Sequence, residues 1–285
     1  AAGALDAGFG TSGIATTDIG GPGDQAHDAA LLPDGGVIAV GETDAAGIQK
    51  QDFALVRYDA DGHPASTFGN HGVVTTDLTG HGDIAYAVAV QGDGKIVVAG
   101  LAAGPSGLHA DFAVARYTAT GALDTTFSGD GIATTDFGAL SDDIARAVAI
   151  QPDGRIVVVG TAGEDIAVAR YLANGTPDGS FGTAGVVRTD LGSFDVGNGV
   201  AIGTGGRIVV SGYTVGAGGD DDFLAVGYHA DGSLDTTFGD HGHALARLHR
   251  NRLQRPRKLT HDLHRPRSRL RHTWSAEHHR PEPFD

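Results

Sequence analysis

Aspartate is the residue type that offers this chain most of its chemistry. Asp142 and Asp143 are adjacent, and so are Asp220 and Asp221. Grouped carboxylates can bind calcium, which takes several oxygen ligands, and two suitably spaced carboxylates can hydrolyse a glycosidic bond. Aspartate also stabilises turns, because its side chain accepts hydrogen bonds from nearby backbone amides. No D-x-[DN]-x-[DN]-G loop ending in Glu is present. We therefore expect turn aspartates and no cofactor, with calcium as the alternative.

Four aromatic residues are candidates for ligand contact. Most of the 11 Phe and 6 Tyr recur at matched positions along the chain, which favours a packing role. Tyr86, Phe137, Phe194 and Tyr213 do not recur in that way, and they lie in or beside segments of variable length. The predicted ligand-contact residues are these four aromatic residues together with the four aspartates named above.

The sequence predicts no catalytic residue. It contains no cysteine, and therefore no thiol nucleophile and no disulfide. It has no G-x-S-x-G elbow, phosphate-binding loop or dinucleotide fingerprint in a strand-to-helix context. His241 and His243 could bind a metal, but two ligands without a third are a weak signal. A catalytic carboxylate is expected once, whereas most aspartates recur along the chain. A non-enzymatic protein is therefore favoured, with a saccharide hydrolase or lyase as the alternative.

Charge is divided unevenly along the 285 residues, whose formal net charge is −15. Residues 247–285 contain 11 Lys and Arg against 4 Asp and Glu, whereas the preceding residues contain 9 against 31. The body therefore carries a charge of −22, which repels nucleic acid and anionic membranes. No run of about 18 apolar residues is present to span a bilayer. We expect no nucleic-acid partner and no membrane insertion.

An internal repeat organises most of the chain. The marker Leu-Asp-x-x-Phe-Gly recurs, with some substitutions, and the spacings between its phenylalanines are 59, 59, 54 and 57 residues. Arg-Tyr and Thr-Thr-Asp recur in the same phase, which makes the repeat a strong signal. The marker phenylalanines are Phe9, Phe68, Phe127, Phe181 and Phe238. We predict a repeat unit over residues 1–242, with copies at approximately 10–68, 69–127, 128–181 and 182–238.

Each repeat contains four segments that are typical of β-strands. In the second copy they are residues 73–78, 85–91, 95–100 and 111–117, and Asp93-Gly94 between two of them indicates a hairpin. Runs such as 156–159, Ile-Val-Val-Val, lack polar alternation and therefore indicate burial on both faces. Stacked four-stranded sheets of this kind form a β-propeller. We predict an all-β fold, a β-propeller of four-stranded antiparallel blades, with about four blades present and others possible; a parallel β-helix is the rival.

The motifs, taken in order, resemble the delta-60 repeat family of bacterial β-propeller repeats. They are Leu-Asp-x-x-Phe-Gly, Gly-x-x-Thr-Thr-Asp, Ala-Val-Ala-Ile-Gln-Pro-Asp-Gly-Arg-Ile-Val-Val-Val-Gly and Asp-Phe-Ala-Val-Ala-Arg-Tyr. The resemblance covers residues 4–242. It implies a propeller fold and export, as part of a secreted or cell-surface protein. The family has no general catalytic motif to carry over.

Segments that differ between repeats indicate where function lies. The linkers 42–51, 101–110, 161–164 and 213–221 differ in length, whereas the Asp-Gly turns hardly vary. Alternating strand direction places the variable linkers on one acidic face. We therefore predict an exported scaffold for surface structure or for binding an unknown protein or saccharide. A saccharide hydrolase or lyase and a calcium-stabilised repeat protein are the alternatives.

Both ends of the chain depart from the repeat. The chain lacks methionine and opens with Gly3-Ala4-Leu5-Asp6, which matches the end of a repeat. We expect either a processed start or missing upstream blades, and open blade edges that favour self-association. Residues 243–285 form a basic tail rich in Arg, His and Pro. We expect this tail to be disordered or the product of a frame slip, with a nucleic-acid-binding arm as a third interpretation.

Overall fold

Four antiparallel sheets of four strands make up the computed structural model, which describes residues 3–246 except 45, 46, 48, 49, 105, 106, 139, 140, 193, 217 and 218. Sheet 1 contains β1 (Asp24–Leu31), β2 (Val37–Thr43), β3 (Asp52–Tyr58) and β4 (Val73–Thr76). Sheet 2 contains β5 (Asp83–Val90), β6 (Ile96–Ala103), β7 (Ala110–Tyr117) and β8 (Ile132–Thr135). Sheet 3 contains β9 (Asp143–Ile150), β10 (Ile156–Ala162), β11 (Asp165–Tyr171) and β12 (Val186–Thr189). Sheet 4 contains β13 (Asp195–Ile202), β14 (Ile208–Val215), β15 (Asp221–Tyr228) and β16 (His243–Ala246).

Helical structure is almost absent from the part of the chain that the structure describes. It is limited to the short 3₁₀ turn Thr204–Gly206. No described helix is long and apolar enough to cross a membrane. The all-β fold class predicted from the sequence is confirmed.

Each of the first two sheets closes with a Thr-Thr-Asp strand, and this differs from the predicted repeat boundaries. In sheet 1, β4 pairs with β3 and places Thr76 opposite Phe53. The amide of Arg57 also donates to the carbonyl of Gly72 at 2.9 Å, which holds β4 beside β3. The predicted copies therefore cut each sheet one strand too early. A sequence period fixes the order of strands but not which neighbour the outermost strand pairs with.

The last strand also lies beyond the predicted end of the repeat unit at residue 242. β16 pairs with β15, with Ala246 opposite Phe223, although the Thr-Thr-Asp motif is missing there. Backbone hydrogen bonds form the pair, so the strand does not require the motif's side chains. The interpretations of the basic tail concern residues 247–285, which lie outside the described residues.

Neighbouring sheets pack face to face through three apolar layers. Ile38 and Leu55 of sheet 1 pack with Val98 and Tyr117 of sheet 2, and matching layers join sheets 2 and 3 and sheets 3 and 4. Every residue of β10 is buried, which confirms the prediction from its apolar run. Burial on both faces explains why strands of this kind show no polar alternation.

The first strands of the sheets lie next to one another and form the inner side of the stack. β5 contacts both β1 and β9, and β9 contacts β13. We call these four the inner strands. They supply one residue position from each sheet to a shared surface, and this arrangement positions the candidate site.

The two ends of the sheets carry different connections. The linker end carries the linkers between the second and third strands of each sheet, such as β2 and β3, together with the connections from one sheet to the next. The turn end carries the Asp-Gly turns between first and second strands and the loops that contain the marker phenylalanines. At the linker end, the amide of Asp83 donates to the carbonyl of Gln51 at 2.7 Å, and the amide of Asp195 donates to Glu164 at 2.7 Å. The two kinds of variable linker therefore share one end, as the alternation of strands predicts.

Sheet 4 leaves one apolar face uncovered among the described residues. Phe223 in β15 is 65% exposed, whereas Phe53 and Phe112 at the equivalent positions of sheets 1 and 2 are fully buried. No described apolar layer joins sheet 4 to sheet 1. The stacking surface is therefore present but unpaired on this side of the stack.

Candidate binding site on the inner strands

Each inner strand carries a β-bulge at the same place. The pairing register shifts by one residue in all four pairs of first and second strands. The residues at the bulges are His27, Tyr86, Arg146 and Asn198. A bulge re-aims a side chain and bends the strand locally. Four chemically different side chains thus occupy one position in four otherwise similar strands.

Three of these side chains and a glutamate form a continuous row across three sheets. We call Glu42, His27, Tyr86 and Arg146 the inner row. Nε2 of His27 lies 4.0 Å from Oε2 of Glu42. The rings of His27 and Tyr86 have centroids 5.0 Å apart at an interplanar angle of 48°. The guanidinium carbon of Arg146 lies 5.9 Å from the centroid of the Tyr86 ring.

The two ends of the inner row carry unsatisfied polar atoms. Oε2 of Glu42 and Nε of Arg146 are both buried and have no hydrogen-bond partner. Leaving such a group unpaired costs on the order of 1–3 kcal/mol. A ligand that reaches both ends of the row would supply the missing partners, with a donor at Glu42 and an acceptor at Arg146.

Tyr86 is held in its protonated form. Burial raises the pKa of its phenol, the negative charge of Glu42 raises it further, and the Arg146 guanidinium acts in the opposite direction. The phenol therefore keeps its proton at neutral pH and can donate a hydrogen bond. Its half-buried ring presents an apolar surface beside that donor.

A second kind of site consists of aspartates at the junctions between sheets, at the linker end. Within each cluster of three, one oxygen from each residue lies within 4.8 Å of the others. The clusters are Asp52, Asp77 and Asp83; Asp111, Asp136 and Asp143; and Asp165, Asp190 and Asp195. The last residue of each cluster begins the following sheet and is fully buried. Each junction therefore concentrates negative charge between two sheets.

Burial and like charge act together in the first two clusters. Burial raises the pKa of Asp83 and of Asp143, and nearby carboxylates raise both values further. Hydrogen bonds oppose this, since the amides of Leu78 and Phe137 donate to the two carboxylates, each at 2.7 Å. These bonds and the recurrence of the clusters fit a structural role. Carboxylate oxygens are also ligands that calcium takes, and the calcium expectation stays a prediction.

The third cluster contains a cation of its own. Arg188 in β12 contacts Asp165 through Nε. Thr75 and Thr134 occupy the equivalent positions in sheets 1 and 2. The positive charge of Arg188 thus offsets part of the negative charge at this junction through a direct ion pair, whereas at the first junction the charge of Lys50 acts on Asp52.

The comparisons with known proteins address the repeat itself. Residues 32–68, 91–127, 151–181 and 206–238 match a family model described as "Domain of unknown function (DUF5122) beta-propeller". Each matched segment ends at a marker phenylalanine, and each comes from one of the four sheets and its connections. The chain is a β-propeller repeat protein. Its four sheets are its blades, numbered 1 to 4 in chain order.

A solved propeller is also similar to the chain. It is reported under the heading "The beta-propeller domain of the Trilobed protease from Pyrococcus furiosus reveals an open velcro topology", with a TM-score of 0.38 and 11% sequence identity. The similarity covers 78% of this chain and 56% of that chain, so the present chain corresponds to little more than half of its length. The comparison with curated proteins finds no match.

The arginines of the Arg-Tyr motif pair with aspartates at the turn end of the propeller. Nε of Arg116 lies 2.8 Å from Asp124, and the guanidinium lies 4.8 Å from the centroid of the Phe127 ring. Arg170 pairs with Asp178 in the same way at 2.8 Å. These arginines hold blades together and are not free to bind a ligand.

The carboxylates in these pairs are strongly stabilised as anions. Burial alone would raise the pKa of Asp124, but hydrogen bonds from Thr126 and Lys95 and the charge of Arg116 hold it well below its usual range. Asp178 shows the same balance, with Ser180 and Arg170 lowering its pKa against burial. The turn end is therefore a fixed framework of ion pairs.

The predicted aromatic contacts do not gather in one site. Tyr86 lies in the inner row. Phe137 packs edge-to-face on Phe112 with ring centroids 4.9 Å apart, so it belongs to the core between blades 2 and 3. Phe194 is 41% exposed and lies at the junction before blade 4. Tyr213 is half-buried in β14, at the position that Glu42 holds in blade 1.

The predicted aspartates are also dispersed along the linker end. Asp142 is exposed and accepts a hydrogen bond from the amide of Ala110 at 3.1 Å, a long-range contact to the start of β7. Asp143 is fully buried in the second acidic cluster. Asp220 and Asp221 are exposed at the start of β15 and belong to none of the described clusters. The eight predicted residues therefore do not form a single contact surface.

Sequence reasoning missed His27, Glu42 and Arg146. It looked for segments whose length differs between repeats. The strands that carry the inner row have the same length in each blade and differ only in the type of residue at that position. A signal was present in the sequence, because the same position of each repeat, directly after an alanine or glycine, holds His27, Tyr86, Arg146 or Asn198. The bulge that directs these side chains has no sequence marker, so their grouping required the structure.

Proposed function

We propose that this β-propeller is a non-enzymatic, exported binding scaffold whose ligand contacts the inner row. One observation carries the proposal: a matched position holds His27, Tyr86, Arg146 or Asn198 in otherwise similar strands. Shared positions in a repeat protein maintain packing, so a position that differs in every blade is free to specialise. The row further contains buried polar atoms that the chain itself does not pair.

The framework around the row supports a scaffold role, because its contacts repeat from blade to blade. The hydroxyl of Tyr117 donates to Thr76 in the preceding blade at 2.9 Å. Tyr171 and Thr135 make the same contact one blade further along, at 2.6 Å. Burial raises the pKa of Tyr171 to about 12, so its hydroxyl stays protonated and the link persists across the physiological range. Such a framework holds the inner row in fixed geometry.

Export rests on the motif resemblance. The repeats of the delta-60 family, which these repeats resemble, are generally found in large secreted or surface proteins. A chain without cysteine is compatible with an oxidising compartment, since it has no thiol to protect. Fractionation of the native source, with the protein detected by antibody, tests this part: recovery in the cytoplasm alone would contradict export.

A saccharide lyase or hydrolase is the second candidate, and the inner row is the observation that favours it. His27 beside Glu42 offers a proton acceptor, and Arg146 offers a cation for a carboxylate. Against catalysis, the clustered aspartates recur at three junctions, whereas one active site needs one such group.

Binding to arrays of saccharides and of peptides tests the proposed function. We expect at least one ligand class to bind wild-type protein and to lose most of its affinity in Tyr86→Ala. Phe223→Ala is the control, because Phe223 is an exposed aromatic residue outside the inner row. Binding that survives Tyr86→Ala, or turnover of a bound saccharide, would contradict the scaffold proposal.

A further inference from the structure

We infer that the Arg146 end of the inner row binds the carboxylate of an acidic saccharide, a uronate, with the sugar ring on Tyr86. The inference rests on the proposed function and specifies its ligand class. It draws on the lack of a described carboxylate partner for Arg146, on the rings of Tyr86 and His27 and on Glu42 at the far end of the row.

Arg146 is exceptional among the arginines of the described residues. Each of the other six has an aspartate oxygen within ion-pair distance. Arg146 has none, and its Nε is buried without a hydrogen-bond partner. The body carries 31 acidic residues, so carboxylates are abundant. An unpaired guanidinium in such a protein is a ready site for an external anion, and its planar fork matches a carboxylate.

The charge around the row favours a ligand with isolated carboxylates over a dense polyanion. Arg146 supplies one positive charge, while Glu42 at the other end supplies a negative charge and the body as a whole is strongly acidic. Nucleic acid carries a phosphate at every residue and would be repelled. A saccharide can place a carboxylate at Arg146 and neutral hydroxyl groups elsewhere.

The remaining groups of the row suit a sugar. Oε2 of Glu42 is buried and lacks a donor, which a sugar hydroxyl provides. The ring of Tyr86 offers an apolar face, and its protonated hydroxyl offers a donor. His27 lies beside it with a ring inclined at 48°. Apolar faces with a few directed polar groups are the usual composition of a small-ligand site.

Calorimetric titration with a tetramer that contains one galacturonate and three galactose residues, compared with a neutral galactose tetramer, tests the inference. We expect wild-type protein to bind the acidic tetramer at least about tenfold more tightly, a difference of about 1.4 kcal/mol. Added salt should weaken this preference, because it depends on charge. Arg146→Gln should abolish the preference, and Arg146→Lys should restore part of it, since lysine keeps the charge without the planar fork.

Arg188→Gln is the matched control, because it removes the same charge from an arginine outside the inner row. It should leave the preference unchanged, and thermal melting should show that each variant is folded. Loss of the preference in both variants would show that only the overall charge matters and would overturn the inference.

The possible outcomes separate the inference from the proposed function. Equal binding of both tetramers that depends on Tyr86 would refute the uronate inference and support the scaffold. Absence of binding to either tetramer would refute the inference, and the array screen would still decide the scaffold. Binding followed by release of unsaturated uronate would support the ligand class and overturn the non-enzymatic role.

Discussion

Arg188 contacts Asp165 through its Nε at the junction of blades 3 and 4. At the two preceding junctions a threonine holds the position of this arginine, and among the described residues no arginine pairs with their carboxylates, although the charge of Lys50 acts on Asp52 at the first junction. The three junctions therefore share one framework, and the third differs from the others by a direct arginine ion pair. This difference allows the effect of the clustered charge to be measured within one molecule.

We expect Asp77→Asn to stabilise the protein at neutral pH. The change removes one of three like charges, while the amide oxygen can still accept the hydrogen bond that the amide of Thr79 donates at 3.1 Å. A rise in Tm of about 2–4 °C corresponds to a gain of roughly 1 kcal/mol in a domain of this size. Asp190→Asn is the control, because Arg188 already offsets charge at that junction. Equal effects of the two changes would argue against charge repulsion.

The same melts can test the calcium alternative. A cation that binds the folded state alone raises the midpoint of unfolding. If the repeats are calcium-stabilised, the wild-type midpoint should rise in calcium and fall in chelator, and Asp77→Asn should reduce the difference. An unchanged wild-type midpoint in chelator would contradict this alternative.

Stability should pass through a maximum on the acidic side of neutral pH. Burial raises the pKa of Asp83 and Asp143 in the folded state. Their contribution to stability is therefore fully present below the pKa of the unfolded state, and it is lost as pH rises through the pKa of the folded state. Asp124 and Asp178 have lowered pKa values in the folded state. Their contribution to stability is therefore present above the pKa of the unfolded state, and it is lost as pH falls through the pKa of the folded state. The two groups therefore act in opposite directions.

Urea denaturation over a pH series measures this balance. From pH 7 down to the ordinary carboxyl range near about pH 4, we expect the free energy of unfolding to increase, and below it to decrease. Asp83→Asn should flatten the increase. A continuous loss of stability from pH 7 downwards in the wild type would show that the junction carboxylates do not dominate.

Gly175 has a steric role that glycine alone fulfils. Its φ is +86°, and a Cβ there would lie 2.8 Å from the Phe127 ring of the preceding blade. Gly192 has a similar φ of +89° but open space around it. We expect Gly192→Ala to cost about 1–2 kcal/mol from backbone strain. Gly175→Ala should cost about 1–3 kcal/mol more from overpacking between blades. Urea denaturation of both variants provides the comparison, and equal losses would contradict the packing role.

The sequence predicted the fold well because local signals and the global architecture agree. Asp153-Gly154 predicts a hairpin turn, and the structure has one there with Gly154 at a φ of +86°. The apolar run of β10 predicts burial on both faces. The partner of the Thr-Thr-Asp strand could not be predicted, because both neighbouring strands are close in sequence and equally suited to pairing.

The ion pair of blade 4 was also beyond prediction. Gly227 replaces the Arg-Tyr arginine there, which suggests that the aspartate loses its partner. The structure shows that Arg207, just before β14, pairs with Asp235 at 2.8 Å and lies 5.1 Å from the centroid of the Phe238 ring. Lys95 and Arg155 make the equivalent pairs in blades 2 and 3, so the aspartate of blade 4 keeps one of two cations. The inner row depends in the same way on spatial neighbours from different blades.

The uncovered face of blade 4 leads to a prediction about self-association. We propose that it packs on the outer face of blade 1 in a second copy of the chain. Phe53 in blade 1 packs against a surface of blade 2 that includes Ala113 and Tyr117. The equivalent residues of blade 1, Ala54 and Tyr58, line a cavity of about 230 Å³ on its outer face. The contact would therefore continue the stacking that already joins the blades.

Phe223→Asp tests this contact, with mass measured by light scattering after gel filtration over a range of concentrations. We expect the wild type to form head-to-tail oligomers as its concentration rises, and the variant to remain monomeric, because a charge on the stacking face opposes burial. Leu108→Asp is the control: Leu108 is also exposed, at 74%, but lies in a linker away from that face. The control should associate like the wild type. A wild type that stays monomeric, or a Phe223→Asp variant that associates equally well, would show that these faces do not bind each other.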